Sequence, residues 1–403
     1  MSHDRLQNVL QKELDAAAQA VCDDGKPIFT MTSNRFNSYD VYLSNNVLDA
    51  DNSLLLNVIG NRRTLLVTTP TVARIYGRSF EFLAERGGII LKTLVLECTE
   101  QNKSLNTAGE VCRNALLAEL GRDSMIVVVG GGVCSDLVTL AASMIRRGIA
   151  YVRIPTTLLG QVDASIGIKG AANFCGKKNY LGCFYPPSAV IIDPHFLKTL
   201  PLKHLSNGFA EIIKMAIACD ADLFDLIVNH HEAFLRTALQ EPYEGAQRVM
   251  SLAIRGMLEQ LQPNLFEDKT YKRLVDLGHT FSPVIEAAST FSIHHGEAVA
   301  IDIALSATIS AELDLISEAD FRRILSIIGC VGLPIFSSVV TLDLCLEALN
   351  EASRHRGGSL NLVLPTKVGD VTFLEHMQDL PPTILRASLN RLAQESECYN
   401  SHT

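Results

Sequence analysis

The sequence predicts an α/β fold in two parts: a parallel-sheet domain over residues 1–200, followed by a mainly α-helical domain over residues 201–403. Three observations predict it. Between Arg63 and Asp193, short apolar runs alternate with amphipathic stretches, the order that builds a parallel sheet covered on both faces. One of those runs, Met125 to Val129, stops abruptly in Gly130, Gly131 and Gly132. From about Leu205 the strand signals thin out and long helical patterns take over.

With 403 residues, 47% of them hydrophobic and 20% charged, the chain is long enough for two separate cores. A formal charge of -9 and the lack of any Lys/Arg-rich run argue against a nucleic-acid partner. The longest apolar runs are too short and interrupted to span a bilayer, and the acidic, broken N-terminal stretch does not read as a secretory signal. The expectation is therefore a cytoplasmic protein with no membrane partner. Ten cysteines without a CxxC pair read as reduced, mostly packed thiols.

Residues 1 to about 35 read as a ragged helix, and YDVYLSNNVL from Tyr39 alternates like an edge strand. TLLVTT, after Arg63, reads as a buried strand. TVARIYGRSFEFLAERG is the helix after it, closed by Gly87 and Gly88, and Ile89 to Leu96 is the next strand. The helix that follows has Val111, Leu116, Leu117 and Leu120 at roughly helical spacing as its apolar face. GGGVCSD then joins a strand end to a helix expected to start near Ser135. Such a turn either aims free N–H groups at a pyrophosphate or is a tight turn with no ligand. The strand YVRIPTT brings Thr156 and Thr157 to the carboxyl edge of the sheet, where open α/β sheets bind ligands. A glycine-rich loop follows. Its Lys169, Asn173, Lys177, Lys178 and Asn179 lie within eleven residues, forming either an anion pocket, most simply for phosphate, or a solvated loop. Pro186, Pro187 and the strand VIID close the first domain.

In the helical part, NGFAEIIKMAIA places Glu211 and Lys214 on one helix face among Phe209, Ile212, Ile213 and Met215. A half-buried charge there needs a partner, and a metal is one. DLGHTFSPVIEAASTFSIHHGEAV supplies His279, His294 and His295 around a short apolar helix. Imidazole is the commonest metal ligand at neutral pH, and catalytic zinc takes three protein ligands. By themselves these histidines read either as ligands or as satisfied core groups. The tail from about Ser388 begins helical and frays.

In order, GGGVCSDLVTLAAS, IPTTLLGQVDASIGIKGAANF, GKKNYLG, FLKTLP, NGFAEIIK, GHTFSP and HGEAV resemble the sugar phosphate cyclases, the superfamily of dehydroquinate synthase, over roughly residues 60 to 365. The resemblance implies a Rossmann-like NAD-binding α/β domain, a helical domain that carries one divalent metal, zinc or cobalt, and a homodimer. It implies metal ligands at Glu211, His279 and His295. It implies NAD contacts at Glu100, Lys103, Gly131, Gly132, Asp136, Thr156, Thr157, Lys178 and Thr199, with Thr68 standing where the family often has an acidic residue for the adenine ribose. Lys169, Lys214, Asn179 and Asp136 match catalytic or substrate-binding positions, and Lys272 or Arg273 matches a phosphate-binding one. Dehydroquinate synthases carry an amide and a second histidine where this chain has Asp276 and Pro283. Asp276 and His355 instead resemble the branch that makes 2-epi-5-epi-valiolone from sedoheptulose 7-phosphate. Other cyclases of the superfamily, which make desmethyl-4-deoxygadusol, 2-epi-valiolone or dehydroquinate, and the metal-dependent polyol dehydrogenases are the alternatives. The implied cycle is oxidation at C5 by NAD, elimination of phosphate from C7, return of the hydride, ring opening and intramolecular aldol closure, a lyase reaction by outcome.

Overall fold

The computed structural model describes residues 37–49, 51–87 and 90–400. The helix expected over residues 1–35 lies outside them, as does Gly88. The described residues from Tyr39 onward form one compact unit.

Six strands form a parallel sheet: β1 (Asp40–Leu43), β2 (Thr64–Thr68), β3 (Ile90–Val95), β4 (Met125–Gly130), β5 (Ala150–Pro155) and β8 (Ala189–Ile192), in the order β1-β8-β5-β4-β2-β3. Successive side chains of a strand point to opposite faces. On β2 and β4, Leu65, Val67, Ile126 and Val128 enter one core. Leu66, Met125, Val127 and Val129 enter another on the opposite face. That double burial is why these strands read as continuous apolar runs. β1 lies at the edge, as its alternation suggests.

From β2 the chain steps outward to β3, returns to β4 on the other side of β2, and continues away through β5. The order therefore reverses between β2 and β4, and ligands of open sheets sit outside the carboxyl ends at such a point. Gly130, Gly131 and Gly132 lie there.

Three sequence expectations change. The helix after β4 runs Gly132–Met144 with Gly131 as its extended N-cap, so it starts three residues before Ser135 and the glycines themselves enter its first turn. In the helix Leu105–Leu117 the buried positions are Ala108, Val111 and Ala115, while Leu116 and Leu117 are 72% and 68% exposed. The inward stripe runs on small residues because this helix lies close against the one that begins at Gly132. The lysine-rich segment is an antiparallel hairpin, β6 (Lys169–Phe174) and β7 (Lys177–Phe184), and not a loop. Its turn residues Cys175 and Gly176 both take positive φ, the hairpin geometry that Asn-Gly usually announces and Cys-Gly does not.

After β8 the chain is mainly helical, with one two-stranded sheet of β9 (Leu362–Lys367) and β10 (Asp370–Leu374). Two helices, Leu202–Cys219 and His295–Glu312, are each buried at fourteen of eighteen residues and pack on each other. A helix apolar all round sits inside a core, so each charge on these two needs a partner within the protein. Among the described residues, no helix is long and apolar enough to cross a membrane.

Candidate active site

Glu211 lies mid-way along the buried helix Leu202–Cys219, and His295 is the first residue of the helix packed against it. Their approach depends on Gly296, where any Cβ would collide with the backbone of Asn207. Asn207 Oδ1 also accepts from the Glu297 N–H at 3.2 Å, holding the helix start in place. His279 follows Gly278, whose φ of +76° turns the chain between Val299 and Ile303. One ligand atom from each of Glu211, His279 and His295 lies within 4.8 Å of the others.

Both carboxylate oxygens of Glu211 are buried, and neither completes a hydrogen bond of ordinary geometry. Lys214 Nζ lies 2.5 Å from Oε2, and the His295 and His279 Nε2 atoms lie 3.2 and 3.7 Å from Oε1. Burial pushes the Glu211 pKa up, but Lys214, then His279 and His295, outweigh it and hold the carboxyl well below its usual range. Burial, then Lys214, lowers the pKa of His279, which keeps its imidazole neutral and able to coordinate. A buried carboxylate without proper hydrogen bonds, facing two imidazole nitrogens, is a donor set that fits a divalent cation.

Around this cluster, Lys214 is also 3.5 Å from Asp163 on the π-helical turn Gly160–Ala164. Burial lowers the Lys214 pKa, and Asp163 and Glu211 reverse this, so the ammonium form is held above its usual range. His295 Nδ1 lies 2.9 Å from Glu286 Oε1, and Lys178 Nζ pairs with Glu286 Oε2. Against burial, His295 and then Lys178 bring Glu286 down to about 2, while Glu286 and Glu211 raise His295 to about 9.

A second cluster spans Lys169 and Arg273, which both grip Glu267 Oε1. Arg273 also holds Asp276 at 2.7 Å, and Arg356 reaches the same carboxylate at 3.4 Å. A third lies at the sheet edge. Lys103 Nζ bonds Asp136 and Asn179, each at 2.6 Å, and Asn173 links Glu100 to the Asn179 N–H. A Cβ on Gly131 would lie 3.2 Å from Thr157, so the glycine turn and the threonine are neighbours.

The 3-dehydroquinate synthase N-terminal family model matches residues 93–207, and the C-terminal model matches residues 208–354. The chain belongs to the 3-dehydroquinate synthase family. Within it, a 2-epi-5-epi-valiolone synthase of Streptomyces glaucescens is 41% identical over 364 residues, 89% of this chain and 92% of that protein. A demethyl-4-deoxygadusol synthase of Trichormus variabilis is 35% identical, over 84% of each chain. The solved structure of ValA, a 2-epi-5-epi-valiolone synthase from Streptomyces hygroscopicus subsp. jinggangensis 5008 with NAD+ and Zn2+ bound, superposes with a TM-score of 0.87 at 38% identity, covering 91% of this chain and 100% of that one.

Some residues that the family resemblance nominated lie away from these clusters. Lys272 is half exposed and pairs with Glu375. His355 is exposed at the end of the helix Leu342–His355, and its neighbour Arg356 is the buried residue beside Asp276. Thr199 Oγ1 sits 2.9 Å from the Tyr76 hydroxyl. Lys177, from the anion pocket read in the sequence, turns outward to Glu351. Thr68 Oγ1 donates to Val129 O at 2.8 Å inside the sheet. Thr156, by contrast, is buried at the glycine turn, its N–H donating to Gly130 O at 3.0 Å.

Asp163, Glu267, Glu286, Asp302 and Arg356 were not read from the sequence. Glu286 and Asp302 carried a usable signal, because each is the one charge within an otherwise neutral helical run, PVIEAA and VAIDIALSA. Asp302 accepts from the Phe281 and Ser282 N–H groups at 2.5 and 2.9 Å, which pins the turn after His279. Burial, only partly countered by these bonds, raises its pKa from 3.8 to about 6. Its contribution to stability is thus fully present below the unfolded value of 3.8 and is lost as pH rises through about 6. We expect Asp302→Asn to gain roughly 1–3 kcal/mol over the native chain at pH 7.5. The gain shrinks toward pH 4, and urea unfolding at both pH values checks it. An equal difference at both pH values would show that Asp302 does not titrate in this range.

Proposed function

We infer that this protein is an NAD- and divalent-metal-dependent sugar phosphate cyclase, a phosphate-eliminating carbon-oxygen lyase, that converts sedoheptulose 7-phosphate to 2-epi-5-epi-valiolone. The observation that carries the chemistry is the buried Glu211, His279 and His295 cluster with Lys214 against it. Kinship with the valiolone synthases supports the choice of substrate.

Glu211, His279 and His295 would hold the metal, and Glu100, Lys103, Gly131, Gly132, Asp136, Thr156, Thr157, Lys178 and Thr199 the dinucleotide. When bound, the metal supplies a Lewis acid for substrate hydroxyls and NAD a transient hydride acceptor. Lys214 Nζ, between Glu211 and Asp163, holds a proton at the point where a substrate hydroxyl would meet the carboxylates. Lys169 and Arg273 share one carboxylate, so their cationic ends converge as phosphate requires, and Lys272 adjoins Arg273 in the chain. Asn179 is held against Lys103, where its amide can orient a hydroxyl. Asp276, braced by Arg273 and Arg356, would present its carboxylate to the ring, and His355 would act from the exposed end of the helix that precedes Arg356.

The division near residue 200 fits this reading, with dinucleotide groups before it and the metal cluster after it. So do a homodimer, in keeping with the family resemblance, and a cytoplasmic setting, supported by the composition. Zinc or cobalt would serve.

The deciding assay supplies sedoheptulose 7-phosphate, NAD and zinc or cobalt. We expect one phosphate released per substrate consumed, no net NADH, and 2-epi-5-epi-valiolone by NMR. Sustained NADH accumulation without phosphate release would make the protein a polyol dehydrogenase. A different cyclitol in the NMR spectrum would move it to another branch of the cyclases.

A further inference from the structure

Glu286 is 3% exposed and sits on the short helix Ser282–Ala288, between the two histidines in sequence. It contacts neither Glu211 nor His279 directly. Oε1 faces His295 Nδ1 at 2.9 Å, so an Nδ1–H can donate to it, and Nε2, 3.2 Å from Glu211, is the nitrogen that would face a cation. Oε2 pairs with Lys178, which comes from the hairpin strand β7. The chain joining Glu286 to His295 is tied down. The Phe291 N–H and the Ser289 hydroxyl both donate to Glu286 O at 2.9 Å, and the Ile293 N–H donates to Ser289 Oγ at 3.2 Å.

We propose that Glu286 is a positioning residue that fixes the His295 ring through Nδ1 and joins it to Lys178, so that occupancy of the dinucleotide site and of the metal site are linked through one carboxylate. This rests on the metal and NAD assignments made above. The two donors compete for one charge. When a dinucleotide phosphate or ribose engages the Lys178 ammonium, the full carboxylate charge is left to the imidazole, which becomes the stronger ligand. A cation held by His295 would in turn strengthen the hold of its ring on Glu286 and loosen Lys178 for the nucleotide, as reciprocity of coupled sites requires. Carboxylate partners of metal-bound histidines commonly change metal affinity by about 10–100-fold.

The test uses the full chain, stripped of metal and nucleotide. Zinc affinity is measured by competition with a chromophoric chelator, with and without saturating NAD, for the native protein, Glu286→Gln, Glu286→Ala and Lys178→Met, with thermal melting of each as a folding control. We expect zinc to bind the native protein about fivefold or more tightly with NAD present. Glu286→Gln and Glu286→Ala should weaken zinc about 10–100-fold, less for Gln, which keeps an acceptor oxygen. The NAD effect should vanish in Glu286→Gln and in Lys178→Met. Native zinc affinity in Glu286→Gln, or an NAD effect that survives both substitutions, overturns the proposal. If Glu286→Ala melts without cooperativity, Glu286→Gln and Lys178→Met decide. A native chain that binds no zinc would instead overturn the metal assignment on which the proposal rests.

Discussion

Substituting His279 by alanine is expected to abolish metal retention and turnover together. The reason lies in how little else His279 does. Its ring is held by its own turn, through Nδ1 and Leu277 O at 3.1 Å, and its Nε2 faces the Glu211 carboxylate. Removing it leaves two ligands where a catalytic zinc site takes three. It opens only a modest gap at a group 27% exposed, so the metal-free variant should melt close to the metal-free native protein. Metal content by atomic spectroscopy, phosphate release and thermal melting check the three parts. A variant that kept both metal and turnover would remove His279 from the ligand set.

The second large effect is expected at Lys214. Its side chain is 2% exposed and its partner Glu211 fully buried, so Lys214→Met strands a charged carboxylate in the core. Breaking a buried pair by removing one partner typically costs about 3–5 kcal/mol. Glu211→Gln on the same background should recover much of that, since neither partner is then charged. Zinc should also recover part of it in Lys214→Met, because the cation replaces the lost ammonium. Turnover should not return: a positioned proton donor is worth roughly 10²–10⁴-fold in rate, and the metal does not supply one at that atom. Urea unfolding of the metal-free proteins, with the double substitution as control, measures the stability part. An equal loss in the single and double variants would mean that packing, and not charge, sets the cost.

Local pattern was enough for much of this molecule. Strands buried on both faces need apolar runs, so β2, β4 and β8 were legible without a partner in view, as were β5, interrupted by Arg153, and the helix carrying Glu211 and Lys214. The hairpin was hidden because a Cys-Gly turn is a weak signal, and Leu116 and Leu117 misled because apolar spacing marks a stripe without saying which stripe faces inward.

What the sequence by itself determined was the order of elements, the glycine turn at the end of β4, and the residue types able to bind a cation and an anion. Spacing along the chain does not encode distance through it, so only the tertiary structure decided which of those residues meet. Glu211 and His295 are 84 residues apart in sequence yet come within 3.2 Å because two largely buried helices cross where Gly296 has no side chain. The same packing set Arg356, and not His355, beside Asp276, and brought Glu286 between Lys178 and His295. Buried charges must find partners inside the protein, and those pairings belong to the packed core alone.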